Sequence, residues 1–308
     1  MLWVLLAFHA LNLTILNHNP IHPELIRGSL NPSKFKASSL DLLNLPRLDK
    51  SAIKKSFNRA AKGYNSAAIL QKEVLNRLLQ RLQYIRHQPT SLVDIGCGTG
   101  QAVAGLQKTY PRCKIISLDL AYSMLRETRQ QYGLLRKKRL VNSDMETMPF
   151  ADNSFDLLFS NLALQWVNDL GGTLHEFARI GRSGGLLMFA TLGPGTLKEL
   201  RESWFEIDRN PHVHLFIDMH DIGDAMMAAG FSQPVVDAET IRLEYQEFGQ
   251  IFKDLKDTGA SNADINRNRG LTTAARFKRL EQCYRQLGYD AGKFIASYEV
   301  VYGHAWLP

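Results

Sequence analysis

The fold is decided by the stretch Val93-Asp94-Ile95-Gly96-Cys97-Gly98-Thr99-Gly100, which closes an apolar run that begins at Ser91. An apolar run followed by closely spaced glycines predicts a buried strand that enters a tight turn. Glycine lets the backbone turn sharply and approach a ligand without a Cβ in the way. The dinucleotide-binding pattern G-x-G-x-x-G is absent, because its third glycine would fall on Gln101 or Val103. The turn therefore belongs to a different class of ligand-binding turn.

Outward from this turn, short apolar runs alternate with amphipathic stretches. This alternation predicts an α/β fold with a mostly parallel sheet and helices on both faces. The expected strands are Ser91–Gly96, Lys114–Leu120, Arg139–Asp144, Phe155–Asn161 and Leu186–Leu192, followed by a closing pair around residues 241–245 and 298–302. The helices expected between them are Gln101–Thr109, Tyr122–Leu135 and Asp169–Ile180. Together these segments predict a seven-stranded, doubly wound sheet.

Two further helical regions flank this core. Residues 49–82 predict two helices, because apolar residues such as Ile53, Phe57 and Val74 recur at helical spacing. Residues 248–293 predict two more, Phe248–Gly259 and Thr272–Leu287, inserted before the last strand. We therefore expect one domain over residues 49–308, with a helical lid at 49–88 and a helical cap insertion at 248–293.

Residues 1–48 differ from the rest of the chain. Met1–Leu16 is apolar, and the following residues contain prolines and little periodicity. The apolar run is shorter than the roughly 20 residues of a membrane span, and it lacks the basic start of a secretory signal. We interpret residues 1–48 as a disordered or misassigned N-terminal extension, with a membrane tether as the alternative, and we expect no membrane span.

Composition narrows the class of protein. Three cysteines in 308 residues, Cys97, Cys113 and Cys283, form neither a disulfide scaffold nor a zinc pattern, so we expect a cytoplasmic protein without a bound metal. The net charge of +7 favours acidic partners. Basic residues are not interleaved with aromatic ones in a stripe, so no nucleic acid is expected as a partner.

Polar residues end the predicted strands after the glycine turn. Asp119 lies about twenty residues on, where a carboxylate can accept both hydroxyls of a ribose; the alternative is a helix N-cap. Asp144 can accept an adenine amino group while Met145 lies on the ring; the alternative is a surface turn. Asn161 ends the fourth strand, where ligand and acceptor would meet.

These positions resemble the motif series of class I S-adenosylmethionine-dependent methyltransferases. The resemblance implies a Rossmann-like fold and S-adenosylmethionine as the cofactor, with no metal. It assigns cofactor binding to Asp94, Gly96, Gly98, Gly100, Asp119, Leu120, Asp144, Met145 and Asn161. Because this superfamily methylates oxygen, nitrogen and carbon, the fold alone does not fix the acceptor.

Further segments resemble the malonyl-acyl-carrier-protein O-methyltransferase family of biotin synthesis. The resemblance runs from about residue 49 to the C-terminus. Its most specific segments are Thr191–Arg201 and Tyr302-Gly303-His304-Ala305-Trp306, and it also includes Asp49-Lys50, Ser56–Tyr64, Ser160–Trp166, Asp218–Asp224 and Leu255–Ala260. It implies methyl transfer to the free carboxylate of malonyl on an acidic acyl-carrier protein, a partner that suits a basic enzyme. One departure is His214-Leu215, where many relatives carry Asn-Arg before Phe216.

A carboxylate acceptor is ionised at neutral pH, so the expected mechanism needs no general base. It needs a group that holds the carboxylate, and arginine does so with a bidentate fork. We hypothesise that Arg59 or Arg201 binds the substrate carboxylate, with Tyr64 and His214 nearby. The alternatives are a solvated Arg59 and an Arg201 paired with Glu202 or Glu206.

Three other functions fit the same glycine turn. The chain could be a carboxyl methyltransferase for a small free acid. It also resembles, over Thr191–Arg201, an assembly factor of respiratory complex I that is associated with arginine hydroxylation. From a different class, it could be a non-catalytic S-adenosylmethionine-binding protein. The terminal Tyr302–Trp306 segment favours the biotin family. The sequence leaves the oligomeric state open.

Overall fold

A single mixed sheet organises the chain in the computed structural model, which describes residues 46–132, 139–268 and 270–308. The strands are β1 Ser91–Ile95, β2 Lys114–Asp119, β3 Leu140–Asn142, β4 Phe155–Asn161, β5 Gly181–Leu192, β6 Ser232–Tyr245, β7 Tyr289–Asp290 and β8 Lys293–Trp306. The helices are α1 Lys50–Ala60, α2 Tyr64–Ala67, α3 Ile69–Leu82, α4 Gln101–Thr109, α5 Tyr122–Gln131, α6 Leu170–Ile180, α7 Lys198–Phe205, α8 Met219–Ala228, α9 Phe248–Asp257 and α10 Ala274–Leu287.

The strand order is β3-β2-β1-β4-β5-β8-β6, and the two-residue β7 pairs with β8. Strands β1 to β5 are parallel, whereas β8 runs antiparallel to both β5 and β6. From β1 the chain adds β2 and β3 on one side of the sheet and then crosses to add β4 and β5 on the other side. At such a reversal of strand order a crevice opens at the carboxyl ends of the two adjacent strands, here β1 and β4. The predicted class I methyltransferase architecture, with seven main strands, is confirmed.

The core lies on both faces of the sheet, as period-two side chains of buried strands require. Leu92 packs on one face with α3 and α4, where Leu78 and Leu106 are fully buried. Val93 and Ile95 pack on the other face with helices α6 and α8. Because β1 is covered on both sides, its carboxyl end and the glycine turn have a fixed position.

Helices occupy both regions that flank the core, and the first region differs from its expected form. Three helices fill residues 50–82 instead of two, because the chain turns at Gly63 and again at Ala68 before α3. Helices α9 and α10 fill the connection between β6 and β8. The interpretation of residues 1–48 falls mostly on positions 1–45, outside the described residues. Among the described residues, no helix has the length and apolar character to cross a bilayer.

Helices α7 and α8 are not expected from the sequence, and strand β6 is longer than expected, because the sequence patterns that mark these elements are weak. Helix α7 begins after Leu197, a leucine with a left-handed φ of +50°, and α8 begins after Asp218, whose carboxylate accepts the backbone N–H of His220 at 2.8 Å. Strand β6 begins at Ser232, although only its end from residue 241 alternates clearly. Its first half is a polar, exposed edge strand, so no apolar pattern marks it.

Candidate active site

The glycine turn is left-handed at three positions. Gly96, Gly98 and Gly100 have φ values of +72°, +54° and +79°. A Cβ on Gly96 would lie 2.2 Å from Cβ of Ala163, whereas one on Gly98 would meet only Tyr64, at 3.9 Å, and would point into the crevice. A Cβ on Gly100 would crowd helix α5 instead. Gly96 and Gly98 thus open the crevice, while Gly100 packs away from it.

We call the crevice beside this turn the cofactor cavity. Its lining combines the strand ends with the lid, and consists of Lys50, Ile53, Phe57, Tyr64, Gly96, Gly98, Leu118, Asp119, Leu120, Met124, Ser143, Asp144, Met145, Asn161, Leu162, Ala163 and Trp166. The structure therefore brings together in this cavity the cofactor residues expected from the sequence, with Asp94 and Gly100 as the exceptions. Asp94 lines a smaller adjoining cavity that shares Tyr64, Gly96, Gly98 and Asn161 with the first.

Asp119 is held by the backbone around it. Its two carboxylate oxygens accept the N–H groups of Gly98 at 2.8 Å and Ala121 at 2.7 Å. Burial raises the pKa of Asp119 to about 6, although these two hydrogen bonds oppose the shift. The N-cap of α5 is Ala121, so the capping alternative for Asp119 is wrong. Asp119 also lines the cofactor cavity, and each of its carboxylate oxygens has a further lone pair beyond the hydrogen bond that it accepts.

Three buried oxygens converge on the adjoining cavity of about 30 Å³. Oε1 of Gln71, Oδ2 of Asp94 and Oδ1 of Asn161 find no hydrogen-bond donor among the described residues. Asn161 Nδ2 donates to the carbonyl of Gln71 at 3.2 Å, which orients its oxygen. Buried acceptors without a donor are costly. A cationic group with three N–H donors, such as the α-ammonium of S-adenosylmethionine, fits this place.

The end of the cofactor cavity at Asp144 carries an ion pair that the sequence analysis missed. Lys50 Nζ lies 3.1 Å from Oδ1 of Asp144 and 2.9 Å from Oε2 of Glu146. Asp144 therefore faces both the lid and the cavity. It also begins a turn, since the N–H of Thr147 donates to its carbonyl at 3.2 Å, so the surface-turn alternative stays open. At the other end of the lid, Oδ1 of Asn65 accepts from Oγ1 of Thr99 at 2.6 Å. The lid is fastened to the sheet on both sides of the cofactor cavity.

A second cavity of about 290 Å³, which we call the acceptor cavity, shares Phe57, Tyr64, Leu162 and Trp166 with the cofactor cavity. Its walls are mainly apolar and come from the lid, the 192–216 region, β6, β8 and the insertion. A row of rings forms one wall. Centroid distances are 5.4 Å from Phe57 to Trp166, 5.1 Å from Trp166 to His214 and 4.6 Å from His214 to Phe216. Trp166 is buried, as expected, but it also separates the two cavities.

His214 and Tyr64 are the polar groups nearest this junction. His214 is 6% exposed, and its Nε2 has no hydrogen-bond partner among the described residues. Burial lowers the pKa of His214 to about 4, so the imidazole is neutral at pH 7. Tyr64 lines both cavities and the small cavity of Asp94. Burial, together with the charge of Asp119, raises the pKa of Tyr64, which keeps its hydroxyl protonated.

The two arginines expected to bind the substrate carboxylate line neither cavity. Arg59 is exposed on α1, so the solvated alternative describes it. Arg201 donates to the carbonyls of Pro194 at 2.6 Å and Thr196 at 3.2 Å, and thereby braces the turn before α7. Leu215 is 53% exposed while both of its neighbours line the acceptor cavity. The side chain of an arginine at position 215 would therefore leave the backbone toward solvent and not toward the acceptor cavity.

No cluster of three or more His, Cys, Asp or Glu side chains suited to a metal ion occurs within residues 46–132, 139–268 and 270–308. Carboxylates, amides, a tyrosine hydroxyl and an imidazole line the cavities described above.

Comparison with known proteins identifies the family. A family model described as a methyltransferase domain matches residues 93–189. The malonyl-[acyl-carrier protein] O-methyltransferase of Laribacter hongkongensis is 48% identical over 268 residues, which cover 84% of this chain and 90% of that protein. The protein of the same name from Gallionella capsiferriformans is 46% identical over 267 residues, with coverages of 85% and 92%. This chain belongs to the malonyl-[acyl-carrier protein] O-methyltransferase family.

Membership of the malonyl-[acyl-carrier protein] O-methyltransferase family makes the chain an O-methyltransferase. Solved structures agree on the fold. The YcgJ protein of Bacillus subtilis superposes with a TM-score of 0.55 at 15% identity, covering 76% of this chain and 97% of that one. The matched methyltransferase domain contains β1 to β4 and most of β5, and thus every strand end that lines the cofactor cavity.

Proposed function

We propose that the protein transfers the methyl group of S-adenosylmethionine to the free carboxylate of malonyl-acyl-carrier protein, giving the methyl ester that primes pimeloyl formation in biotin synthesis. The observation that carries this proposal is the pair of adjoining cavities. One has the polar groups of an S-adenosylmethionine site, and the other is an apolar chamber that meets it at Tyr64 and Trp166. The relatives named for this activity support the choice of acceptor.

On the donor side, Asp119 is positioned for the ribose, Asp144 and Met145 for adenine, and Gln71, Asp94 and Asn161 for the ammonium group. S-adenosylmethionine supplies a methyl group that its sulfonium already activates. The residues of this chain contribute orientation and the exclusion of water, since aligning two reactants alone lowers a barrier by several kcal/mol (about 7–11 in favourable cases). The lid contacts of Lys50 and Asn65 keep this side closed.

On the acceptor side, we assign the malonyl carboxylate to Tyr64 and His214. The carboxylate is ionised at pH 7 and acts as the nucleophile without losing a proton. Tyr64 donates its O–H, and the neutral His214 donates from Nε2. Two neutral donors hold the anion without neutralising it, which leaves its charge available for attack on the sulfonium-bound methyl group.

Asp254 is the acidic side chain among the residues that line the acceptor cavity, and it does not line the cofactor cavity. Asp254 of α9 accepts the hydroxyl of Tyr245 at 3.1 Å, and burial raises the pKa of Asp254. The shared wall of Phe57, Tyr64, Leu162 and Trp166 has no carboxylate. Repulsion by Asp254 therefore supports an orientation with the malonyl carboxylate toward the cofactor cavity.

The product, a malonyl methyl ester, is suited to extension by a condensing enzyme of fatty-acid synthesis. An apolar condensing pocket rejects an unpaired carboxylate, because burying such a charge is costly. A methyl ester removes the charge and lets the malonyl unit behave as a primer. In this proposal the enzyme acts in the cytoplasm on a protein-bound substrate.

The test incubates purified protein with methyl-labelled S-adenosylmethionine and malonyl-acyl-carrier protein, with malonyl-coenzyme A and free malonate as competing acceptors. The expected result is base-labile label on carrier-bound malonyl. Label on free acids alone would establish a small-acid carboxyl methyltransferase and refute the carrier protein as substrate. Bound cofactor without transfer to any acceptor would refute the enzymatic proposal and favour a cofactor-binding or assembly protein.

A further inference from the structure

Helix α1 of the lid has two chemically different faces. Ile53, Phe57 and Ala60 form the inner face, and Phe57 lines both cavities. The outer face holds Lys55 and Arg59 at i and i+4, a spacing that places side chains in one stripe. Lys54 flanks this stripe and Lys62 extends it past the end of the helix. All four basic side chains are exposed.

The charge of this face is uncompensated. Residues 50–72 contain six Lys or Arg and no Asp or Glu. Lys50 pairs with Asp144 and Glu146, but Lys54, Lys55, Arg59 and Lys62 have no acidic partner among the described residues. By contrast, the exposed Lys253 of α9 is paired within its own helix, with Asp257 at 2.6 Å. Four clustered positive charges without partners repel one another, and an acidic surface would relieve this repulsion.

The position of this face is as informative as its charge. Helix α1 packs beside α9, because a Cβ on Gly259 at the end of α9 would meet Phe57 at 3.0 Å and Ala60 at 3.3 Å. Lys256 of α9 is exposed and also lines the acceptor cavity. Lys256 therefore borders the acceptor cavity on α9, and the four basic side chains of the α1 face lie on the outer side of the helix packed beside it. A macromolecule bound there would be next to the chamber that takes the acceptor group.

We propose that the outer face of α1, formed by Lys54, Lys55, Arg59 and Lys62, is the docking surface for the acidic acyl-carrier protein that delivers the malonyl thioester. This inference rests on the proposed function. It gives Arg59 a role outside the reaction chamber: the arginine binds the carrier and does not contact the malonyl carboxylate. Charged rims of this kind act mainly on the association rate and on its salt dependence.

The test compares two charge-reversed triples. One is Lys55→Glu, Arg59→Glu, Lys62→Glu on the proposed surface. The matched control is Lys108→Glu, Arg112→Glu, Lys114→Glu, three exposed residues at the amino-terminal edge of the sheet, opposite the cavities. Methyl transfer is measured to malonyl-acyl-carrier protein and to malonyl-N-acetylcysteamine, a small thioester that keeps the malonyl carboxylate but lacks the protein, from 25 mM to 400 mM salt.

We expect the α1 triple to raise KM for the carrier substrate at least tenfold at low salt and to flatten its salt dependence. KM for malonyl-N-acetylcysteamine and the affinity for S-adenosylmethionine stay within twofold, and the control triple changes none of these values. If the α1 triple does not fold, the neutral triple Lys55→Gln, Arg59→Gln, Lys62→Gln takes its place, with a threefold or greater increase expected.

An unchanged KM for the carrier protein, or an equal effect of the control triple, would overturn the docking surface. An equal loss with both thioesters would also overturn it, because the lid would then act on catalysis and not on docking. Absence of transfer by the unsubstituted protein to either thioester would instead refute the proposed function, and the docking proposal would fall with it.

Discussion

Replacing Asp94 by Asn should weaken cofactor binding and yet stabilise the ligand-free protein. Asp94 is 1% exposed, and its Oδ2 lacks a donor among the described residues. In the complex this oxygen is expected to accept from the α-ammonium of S-adenosylmethionine. A hydrogen bond to a charged group is worth about 1.5–3 kcal/mol. Since about 1.4 kcal/mol is a factor of ten, the dissociation constant should rise roughly 10- to 100-fold.

The stability effect has the opposite sign. Burial, with a smaller contribution from the charge of Asp119, raises the pKa of Asp94 from its usual value of 3.8 to about 7. An acid with a raised pKa in the folded state destabilises the fold increasingly as the pH rises from the unfolded to the folded pKa. With about 1.4 kcal/mol per pH unit, the ionised Asp94 costs the ligand-free protein of order 4 kcal/mol above pH 7. Asp94→Asn removes this cost, and the gain should shrink as the pH falls toward 4.

The measurements are calorimetric titration with S-adenosylmethionine and urea unfolding of the ligand-free protein at pH 5, 6.5 and 8. Asp156→Asn is the control. Although burial opposes it, hydrogen bonds from Thr90, Arg182 and Ser91 hold the pKa of Asp156 below its usual range. Its ionised form therefore stabilises the fold above the unfolded pKa, and Asp156→Asn should lower stability at pH 8 without changing cofactor affinity. An unchanged affinity in Asp94→Asn, or a lower free energy of unfolding at pH 8, would refute this assignment of Asp94.

Three further predictions follow from the same geometry. Gly96→Ala should lower the free energy of unfolding by about 2–5 kcal/mol, because the added Cβ would lie 2.2 Å from Cβ of Ala163. Gly184→Ala is the control: it has the same φ of +72° but open space around it, so the loss measured by urea unfolding should be only about 1–2 kcal/mol. His214→Leu should raise KM for the malonyl substrate about tenfold and leave cofactor affinity unchanged in calorimetry; an equal loss of both would contradict a role in acceptor binding. Arg201→Met should lower the melting temperature by several degrees, because the carbonyls of Pro194 and Thr196 lose their donor. Arg59→Met, at an exposed position, should leave the melting temperature unchanged. Equal melting temperatures of the two variants would contradict the bracing role of Arg201.

The cofactor side could be predicted from the sequence because its signals are local. Each strand end carries its functional residue in the same short segment that forms the strand, as Asp119 does at the end of β2. The strand order then brings these ends together, and the order follows from the parallel βα alternation itself. Gly100 is the exception, because its tight turn serves packing against α5 and not ligand approach.

The acceptor side could not be predicted because its residues come from distant parts of the chain. Phe57, Trp166 and His214 form one wall of the acceptor cavity, but they come from three separate segments and no local pattern couples them. The cavity is assembled from six regions, and most of them contribute apolar side chains that are typical of any core. The residue types most suited to a carboxylate, the arginines, proved to lie outside it. Arg201 serves backbone carbonyls that only the fold places beside it.

The boundary between the two cavities also divides the chain. Apart from Leu162, Gln165 and Trp166, the residues around the acceptor cavity fall outside the matched methyltransferase domain of residues 93–189, whereas the strand ends of the cofactor cavity fall inside it. The strand ends of the cofactor cavity thus belong to the part of the chain shared with the wider methyltransferase domain. We expect the lid, the 192–216 region and the insertion to select the acceptor, so a chimera of two such enzymes should inherit its substrate from the flanking regions.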